Sequence, residues 1–387
     1  MSIVLLLVGI VLFVGLVVFH ELGHFLAARR NGVEVEEFGI GFPPRAWKRK
    51  TKKGFIFSLN WLPIGGFVKL KGENDAASEP GSFGAARFKT KTKIMLAGVG
   101  MNLLAAFVLF TALAWIGMPQ LLDNQFSVAQ DTKVVHRQLM VGYVEPGSPA
   151  DKAGLKVRDK LVSIQSVGTV SYYDKDGKTL LWEDHSASKP IMLQSAAQLP
   201  TITRQHAGSE MSIIYVRDGV ERSAQVTLRS EEKAKGKAYL GVAPADLTMT
   251  RATWSAPVQA VGLMGQLTGA TFKGIGTALA ALFQGDTAKA SEQVSGPVGI
   301  VMVLHDGSSL GLQYVLLIVG IISLSLAIMN VLPIPALDGG RFYVLLLSRL
   351  FGKKLSKDME ERIVGASFVF LLLLIVLITI VDVKRFF

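Results

Sequence analysis

The residues in this chain best suited to chemistry are Phe19-His20-Glu21-Leu22-Gly23-His24. Two histidines four apart lie on one face of a helix, where two imidazoles can hold one metal ion. The glutamate between them is placed to take a proton from water at that ion, as in other H-E-x-x-H elements. The chain has no cysteine. That excludes disulfides and thiolate metal sites and leaves His, Asp and Glu as ligands. Zinc suits such a set, and a third protein ligand must come from elsewhere.

The surroundings of this stretch set it apart from a solvated helix face. From Ile3 to Phe19 no residue is charged. A run of that kind approaches the ~20 residues that cross a bilayer core. An acid and two imidazoles at the inner end of such a helix mark a functional site. A third ligand should then also sit at membrane depth. Asp338 is the only carboxylate between Leu310 and Asp338, at the end of another apolar run. It lies in Asn330-Val331-Leu332-Pro333-Ile334-Pro335-Ala336-Leu337-Asp338-Gly339-Gly340-Arg341. There the prolines break a helix and the glycines let the backbone come close.

Half of the 387 residues are hydrophobic, and the mean hydropathy is +0.40. The apolar residues are clustered, which indicates a polytopic membrane protein with a soluble part. Four crossings are expected, at residues 1–26, 94–118, 310–337 and 363–381. The first is expected to be retained, because it lacks a basic leader and a small-residue cleavage site and carries the candidate ligands. The formal charge of +11 is concentrated beside the apolar runs, as in Arg45 to Lys53, Arg87 to Lys93, and Arg349 with Lys353, Lys354 and Lys357. Residues 120–250 are nearly balanced. This is the positive-inside pattern, so the partner is the lipid bilayer and not nucleic acid. It makes residues 27–93 and 349–361 cytoplasmic.

The first basic connection contains β-prone runs at Glu36–Phe42, Phe55–Trp61 and Gly65–Leu70, read as a small membrane-associated sheet beside the histidines. Non-helical backbone survives at that depth only where protein or water satisfies it. Gly65, Gly66, Phe67 and Val68 are candidates for holding an extended substrate on a free sheet edge. Gly98 to Asn102 lies in the second crossing, where small residues permit close helix packing and Asn102 needs an interhelical partner. Residues 256–284 are weakly apolar. They are expected to lie at the interface, because a further crossing would put Asp338 on the wrong side.

Residues 120–250 read as a soluble domain. Val141–Val144, Asp159–Ile164, Ser212–Val216 and Ser223–Leu228 are strands, the last two around an Asp218-Gly219 turn. Gly-Ser-Pro-Ala-x-x-Ala-Gly-Leu from Gly147, followed by Asp159-x-Leu161-x-x-Ile164, resembles a PDZ domain. That resemblance implies a module that binds peptide termini on a sheet edge, or a PDZ fold used as a steric cover. The expected layout is a membrane half at 1–119, an extracytoplasmic PDZ-like domain at 120–250, a connector at 251–309 and a second membrane half at 310–387.

Taken together, the chain resembles the site-2 protease family of intramembrane zinc metalloproteases over nearly its whole length. The resemblance rests on His20-Glu21-Leu22-Gly23-His24, Ile40-Gly41-Phe42 with Gly65-Gly66-Phe67-Val68-Lys69, Ser295-Gly296-Pro297, and Asn330 to Gly340. It implies zinc bound by His20, His24 and Asp338, Glu21 as general base and then acid, and Asn330 near the substrate backbone or oxyanion. It also implies single-span membrane protein substrates, such as pre-trimmed anti-sigma factors or signal-peptide remnants, and a multi-pass place in the bacterial inner membrane. Two features depart from the relatives. Only one PDZ-like copy is evident, and Ser325 stands where a second Asn is usual.

Two other readings compete. In a non-catalytic PDZ adaptor with a structural metal, Glu21 would be dispensable. A zinc transporter needs several ligands along one path, and only Asp338 and the two histidines present themselves. His136, His185, His206 and His305 read as surface histidines.

Overall fold

The computed structural model describes residues 2–73, 77–167, 170–173, 180–184, 189–217, 219–286, 296–352 and 356–386. Asp218, Ser295, His185, Lys353 and Lys354 lie outside the described residues. The chain divides into two compact units.

The first unit comprises Met1–Met118, Leu122–Thr132 and Ala252–Phe387. Among its described residues, four helices are long and apolar enough to cross a membrane, at Ile3–Arg30, Phe88–Ile116, Leu312–Val331 and Asp358–Arg385. In chain order its described helices are α1 (Ser2–Arg30), α2 (Phe88–Ile116), α3 (Ala256–Phe283), α4 (Pro297–Leu310), α5 (Leu312–Val331), α6 (Asp338–Leu350) and α7 (Lys357–Phe386). Apolar faces join them. Phe110 and Leu113 of α2 pack with Ala260 and Leu263 of α3 and with Leu317 and Leu324 of α5. Leu16 of α1 packs with Leu304 of α4 and with Val315 and Val319 of α5. The amino end of α3 is therefore core, while Phe272, Leu279 and Phe283 further along are exposed.

The crossing expected over 310–337 is not one helix. Helix α5 stops at Val331, and Leu332 has extended backbone. Pro333 and Pro335 have no N–H to continue the ladder. Asp338 opens α6 instead of closing the preceding helix. Gly296-Pro297 leads into α4, where the buried Asp382 carboxylate accepts from the N–H groups of Gly296 (2.9 Å) and Gly299 (2.7 Å).

The three β-prone runs form two long bent strands, β1 (Val35–Lys50) and β2 (Ile56–Leu70). Residues 35–40 pair with 66–70 on one side and with 56–59 on the other, while 45–50 pair with 56–60. The sheet thus has the spatial order 45–50, 56–60, 35–40, 66–70, all antiparallel. Gly65 (φ 94°) makes the bend before the last segment, and a Cβ there would lie 2.8 Å from the Phe42 ring. Inside the sheet, buried Glu37 accepts from Arg45 Nε (3.0 Å) and Ser58 Oγ (2.7 Å). Burial of that carboxylate is tolerated because its lone pairs are filled.

The second unit comprises Pro119–Leu121 and Lys133–Arg251. Its strands Val220–Thr227, Glu210–Arg217, Lys160–Ser166, Lys133–Val144 and Val242–Arg251 lie side by side in that order, each pair antiparallel. Alternate side chains, including Leu139, Val141, Leu161, Ile164, Met211, Ile213 and Val226, fill one core. The short helix Pro149–Lys152 has Pro at its first position, and its N-cap Ser148 accepts from the Asp151 N–H (3.2 Å). Both suit a helix start. Asp159 is buried and paired with Arg217 at 2.6 Å.

Candidate active site

Helix α1 carries His20, Glu21 and His24 within its last three turns, and the first turn of α6 brings Asp338 to them. His20 Nε2 and His24 Nε2 each lie 3.1 Å from Asp338 Oδ2, and the two nitrogens are 3.2 Å apart. The three groups each offer one ligand atom, and these atoms lie within 4.8 Å of one another. Tetrahedral zinc, with ligand bonds of ~2.0–2.2 Å, sets its ligand atoms about 3.3–3.6 Å apart. The triangle is slightly tighter than that and of the right size.

Proton positions favour a cation at its centre. His24 Nδ1 lies 2.8 Å from the Ile94 carbonyl oxygen. A carbonyl only accepts, so Nδ1 carries the proton, and in the neutral imidazole Nε2 then presents its lone pair beside Asp338. Asp338 Oδ2 is buried without a hydrogen-bond partner. Lone pairs converging on one buried point repel unless a metal ion sits among them. The donor set, the spacing and the orphaned oxygen therefore fit zinc.

Asn102 of α2 supports His20. Its Nδ2 is 3.1 Å from His20 Nδ1, and its Oδ1 is buried with no partner. Amide oxygen and nitrogen are interchangeable by a half-turn. Turned so, Oδ1 accepts the Nδ1 proton and His20 Nε2 is left free to bind metal, as metal-ligating histidines require. The interhelical partner expected for Asn102 is thus a candidate ligand. One turn earlier, Gly98 faces the pair. A Cβ there would lie 2.4 Å from His24 Nε2 and 2.5 Å from His20 Cε1, so only glycine lets α2 approach this closely.

Beside these groups is a chamber of about 250 Å³, lined by Glu21, His24, Asp338, Phe67, Val68, Leu70, Glu73 and Arg341 among others. The backbone N–H of Val68 points toward the Glu21 carboxylate. The Leu70 N–H is held at 2.7 Å by Glu73 Oε1. Alternate N–H groups of segment 66–70 thus face the chamber, away from residues 35–40. Gly65 and Gly66 are buried at the start of that segment. Asn330 is placed differently. Its Nδ2 donates to Leu326 O within α5 (3.0 Å), and it is not among the chamber-lining residues. His136 and His305 are exposed, and His206, which caps the end of the short helix Gln198–Gln205, has Nδ1 3.0 Å from Ile202 O.

Sequence reasoning did not reach Glu73 or Arg341. Arg341 follows Asp338 by three residues, so helical spacing from a candidate ligand would have been enough to find it. Glu73 enters only through the fold of β2.

A bundle of long apolar helices that brings two histidines and an aspartate together, with a glutamate beside them on the same chamber, defines a membrane-embedded metallopeptidase. Peptidase family M50 matches residues 8–374, and the chain belongs to it. The chain is thus a zinc metalloprotease of the site-2 type. It is similar to a Clostridium acetobutylicum protein that bears the name of a zinc metalloprotease, with 31% identity over 99% of this chain and 98% of that one. It is also similar to the Enterococcus faecalis protein named as the protease eep, with 25% identity over 98% of each chain. The zinc metalloprotease RasP of Bacillus licheniformis shows 26% identity, again over 98% of each.

Proposed function

We propose that this protein hydrolyses peptide bonds in the transmembrane segments of single-span membrane proteins, with zinc held by His20, His24 and Asp338. The observation that carries this reading is the convergence of those three groups beside Glu21, where the uncharged run Ile3–Phe19 of α1 ends. A zinc ion there supplies Lewis acidity, acidifying water and polarising the scissile carbonyl. Glu21 takes the proton from the attacking water. The water oxygen bonds to the carbonyl carbon, the C–N bond breaks, and Glu21 passes the proton to the leaving amine. A helical peptide bond is shielded by its own turn, so the substrate must be locally unwound. The segment from Gly65 to Val68 offers a free edge for it, with the Val68 N–H beside Glu21. Asn330 is a further candidate for the substrate backbone, after reorientation from Leu326 O.

The remaining assignments extend this reading. Residues 27–93 and 349–361 face the cytoplasm of a bacterial cell, and residues 120–250 form an extracytoplasmic PDZ-like domain. That domain binds peptide termini or excludes bulky ectodomains. Helix α3 runs along the interface beyond its packed amino end. Substrates of the pre-trimmed anti-sigma or signal-peptide-remnant type belong to this reading. The deciding test is co-expression with tagged single-span substrates. Intact protein should cleave at least one of them and Glu21→Gln none. Equal cleavage by Glu21→Gln would reject the mechanism.

A further inference from the structure

We propose that Arg341 forms a carboxylate subsite in the chamber, receiving the acidic end that hydrolysis creates on one product. The inference rests on the reading of this chamber as the place of cleavage. Arg341 stands one turn after Asp338 on α6 and lines the same chamber as Glu21, His24 and Asp338. Among the described residues its side chain makes one hydrogen bond, from Nη2 to the backbone oxygen of Glu73 at 3.1 Å. Its Nε is buried with no partner, and among the described residues no carboxylate pairs with it.

A guanidinium has five donors in a planar fork and keeps its charge at any physiological pH. Leaving such a group half-buried with one carbonyl as its partner is unfavourable. The neighbouring acids do not relieve it. The Glu73 carboxylate is turned to the Leu70 N–H, and Asp338 is turned to the two histidines. The chamber therefore holds a cation whose fork is open to a ligand, and a planar carboxylate matches that fork with two parallel hydrogen bonds. Peptide hydrolysis turns a neutral amide into such a carboxylate inside the chamber. An Asp or Glu side chain of the substrate beside the cleaved bond would offer the same chemistry.

Binding of fluorescein-labelled apolar peptides to the full-length protein in lipid nanodiscs, read by anisotropy, tests this. Glu21→Gln serves as background so that nothing is turned over. One pair of peptides differs only in a C-terminal carboxylate against an amide. A second pair, both amidated, differs in one internal Glu against Gln. Each is measured with zinc and again after chelation, because zinc itself attracts carboxylates. In chelated protein the acid should bind about tenfold more tightly than the amide, as a charge-assisted pair supports. Arg341→Gln should bring the two within twofold, and Arg341→Lys, which keeps charge without the fork, should fall between. If only the Glu-against-Gln preference depends on Arg341, the subsite stands and its source is a substrate side chain. Equal acid and amide affinities with Glu and Gln also equal, or preferences unchanged in a folded Arg341→Gln protein, would overturn the proposal. Failure of the cleavage reading shows separately, as intact single-span substrate with Glu21 present.

Discussion

Asn102 on α2 meets His20 on α1 across the helix pair, with the amide 3.1 Å from Nδ1. Ser323 of α5 in turn donates to the Asn102 backbone oxygen at 2.8 Å. Three helices therefore fix the orientation of one imidazole. Replacing Asn102 with Leu should lower zinc affinity about 10–100-fold, the usual cost of losing a partner behind a ligating histidine. Asn102→Asp, which keeps an acceptor for the Nδ1 proton, should retain most of it. Competition against a chelating dye measures both variants. Zinc affinity within twofold of the native value in Asn102→Leu would show that His20 needs no such support.

The approach of α2 to the histidines gives a sharper steric test. Gly98→Ala would place a methyl group 2.4 Å from His24 Nε2, whereas nothing lies within 4 Å of a Cβ on Gly100. Both substitutions raise helix propensity alike. Gly98→Ala should therefore lose bound zinc and slow cleavage by at least about 10²-fold, as displaced catalytic groups do. Gly100→Ala should match the native protein. Zinc content by atomic absorption and cleavage of a tagged substrate report the pair. Equal behaviour of the two variants would mean that α2 yields freely at this point.

Glu21 separates a catalytic metal from a structural one. It is not among the three groups whose ligand atoms converge, so Glu21→Gln should keep zinc at one per chain. Cleavage should fall by roughly 10²–10⁴-fold, the range for loss of a general base. Chelation should abolish cleavage by the native protein, and added zinc should restore it. Loss of zinc from Glu21→Gln would instead make Glu21 a ligand.

Much of the site was legible because its residues are costly where they stand. His20, Glu21, His24 and Asp338 are ionisable groups in otherwise uncharged runs, and charge in an apolar run is conspicuous in any sequence. Asn102 was visible for the same reason, although its partner was not, since 82 positions separate it from His20. The sheet was legible only as β-prone runs. That residues 35–40 lie between 56–59 and 66–70 follows from long-range pairing and from bends near Pro43-Pro44 and Pro63-Ile64-Gly65, which local propensity reads as breaks. The break at the end of α5 was legible as Pro333 and Pro335, and what hydropathy could not show is that Asp338 begins a new helix beyond it.

The edge of segment 66–70 leads to the last prediction. In an antiparallel pair, N–H groups alternate between the partner strand and the opposite edge. The Val68 N–H meets Glu21 and the Leu70 N–H meets Glu73, so both face the chamber. The Phe67 N–H, one residue off in register, points toward Gly39 on residues 35–40. Proline removes a donor without adding bulk across the strand. Val68→Pro should therefore leave the sheet and zinc content intact while removing the donor beside Glu21. Cleavage should fall at least about tenfold, the worth of one well-made hydrogen bond to a charged or developing-charge group. Phe67→Pro removes a ladder bond instead, and should lower expression or thermal stability along with cleavage. The two are compared by melting temperature, zinc content and cleavage rate in the same membranes. Native cleavage by Val68→Pro would rule out this edge as the substrate's support, and Asn330, beside the break at Pro333, would become the group to test next.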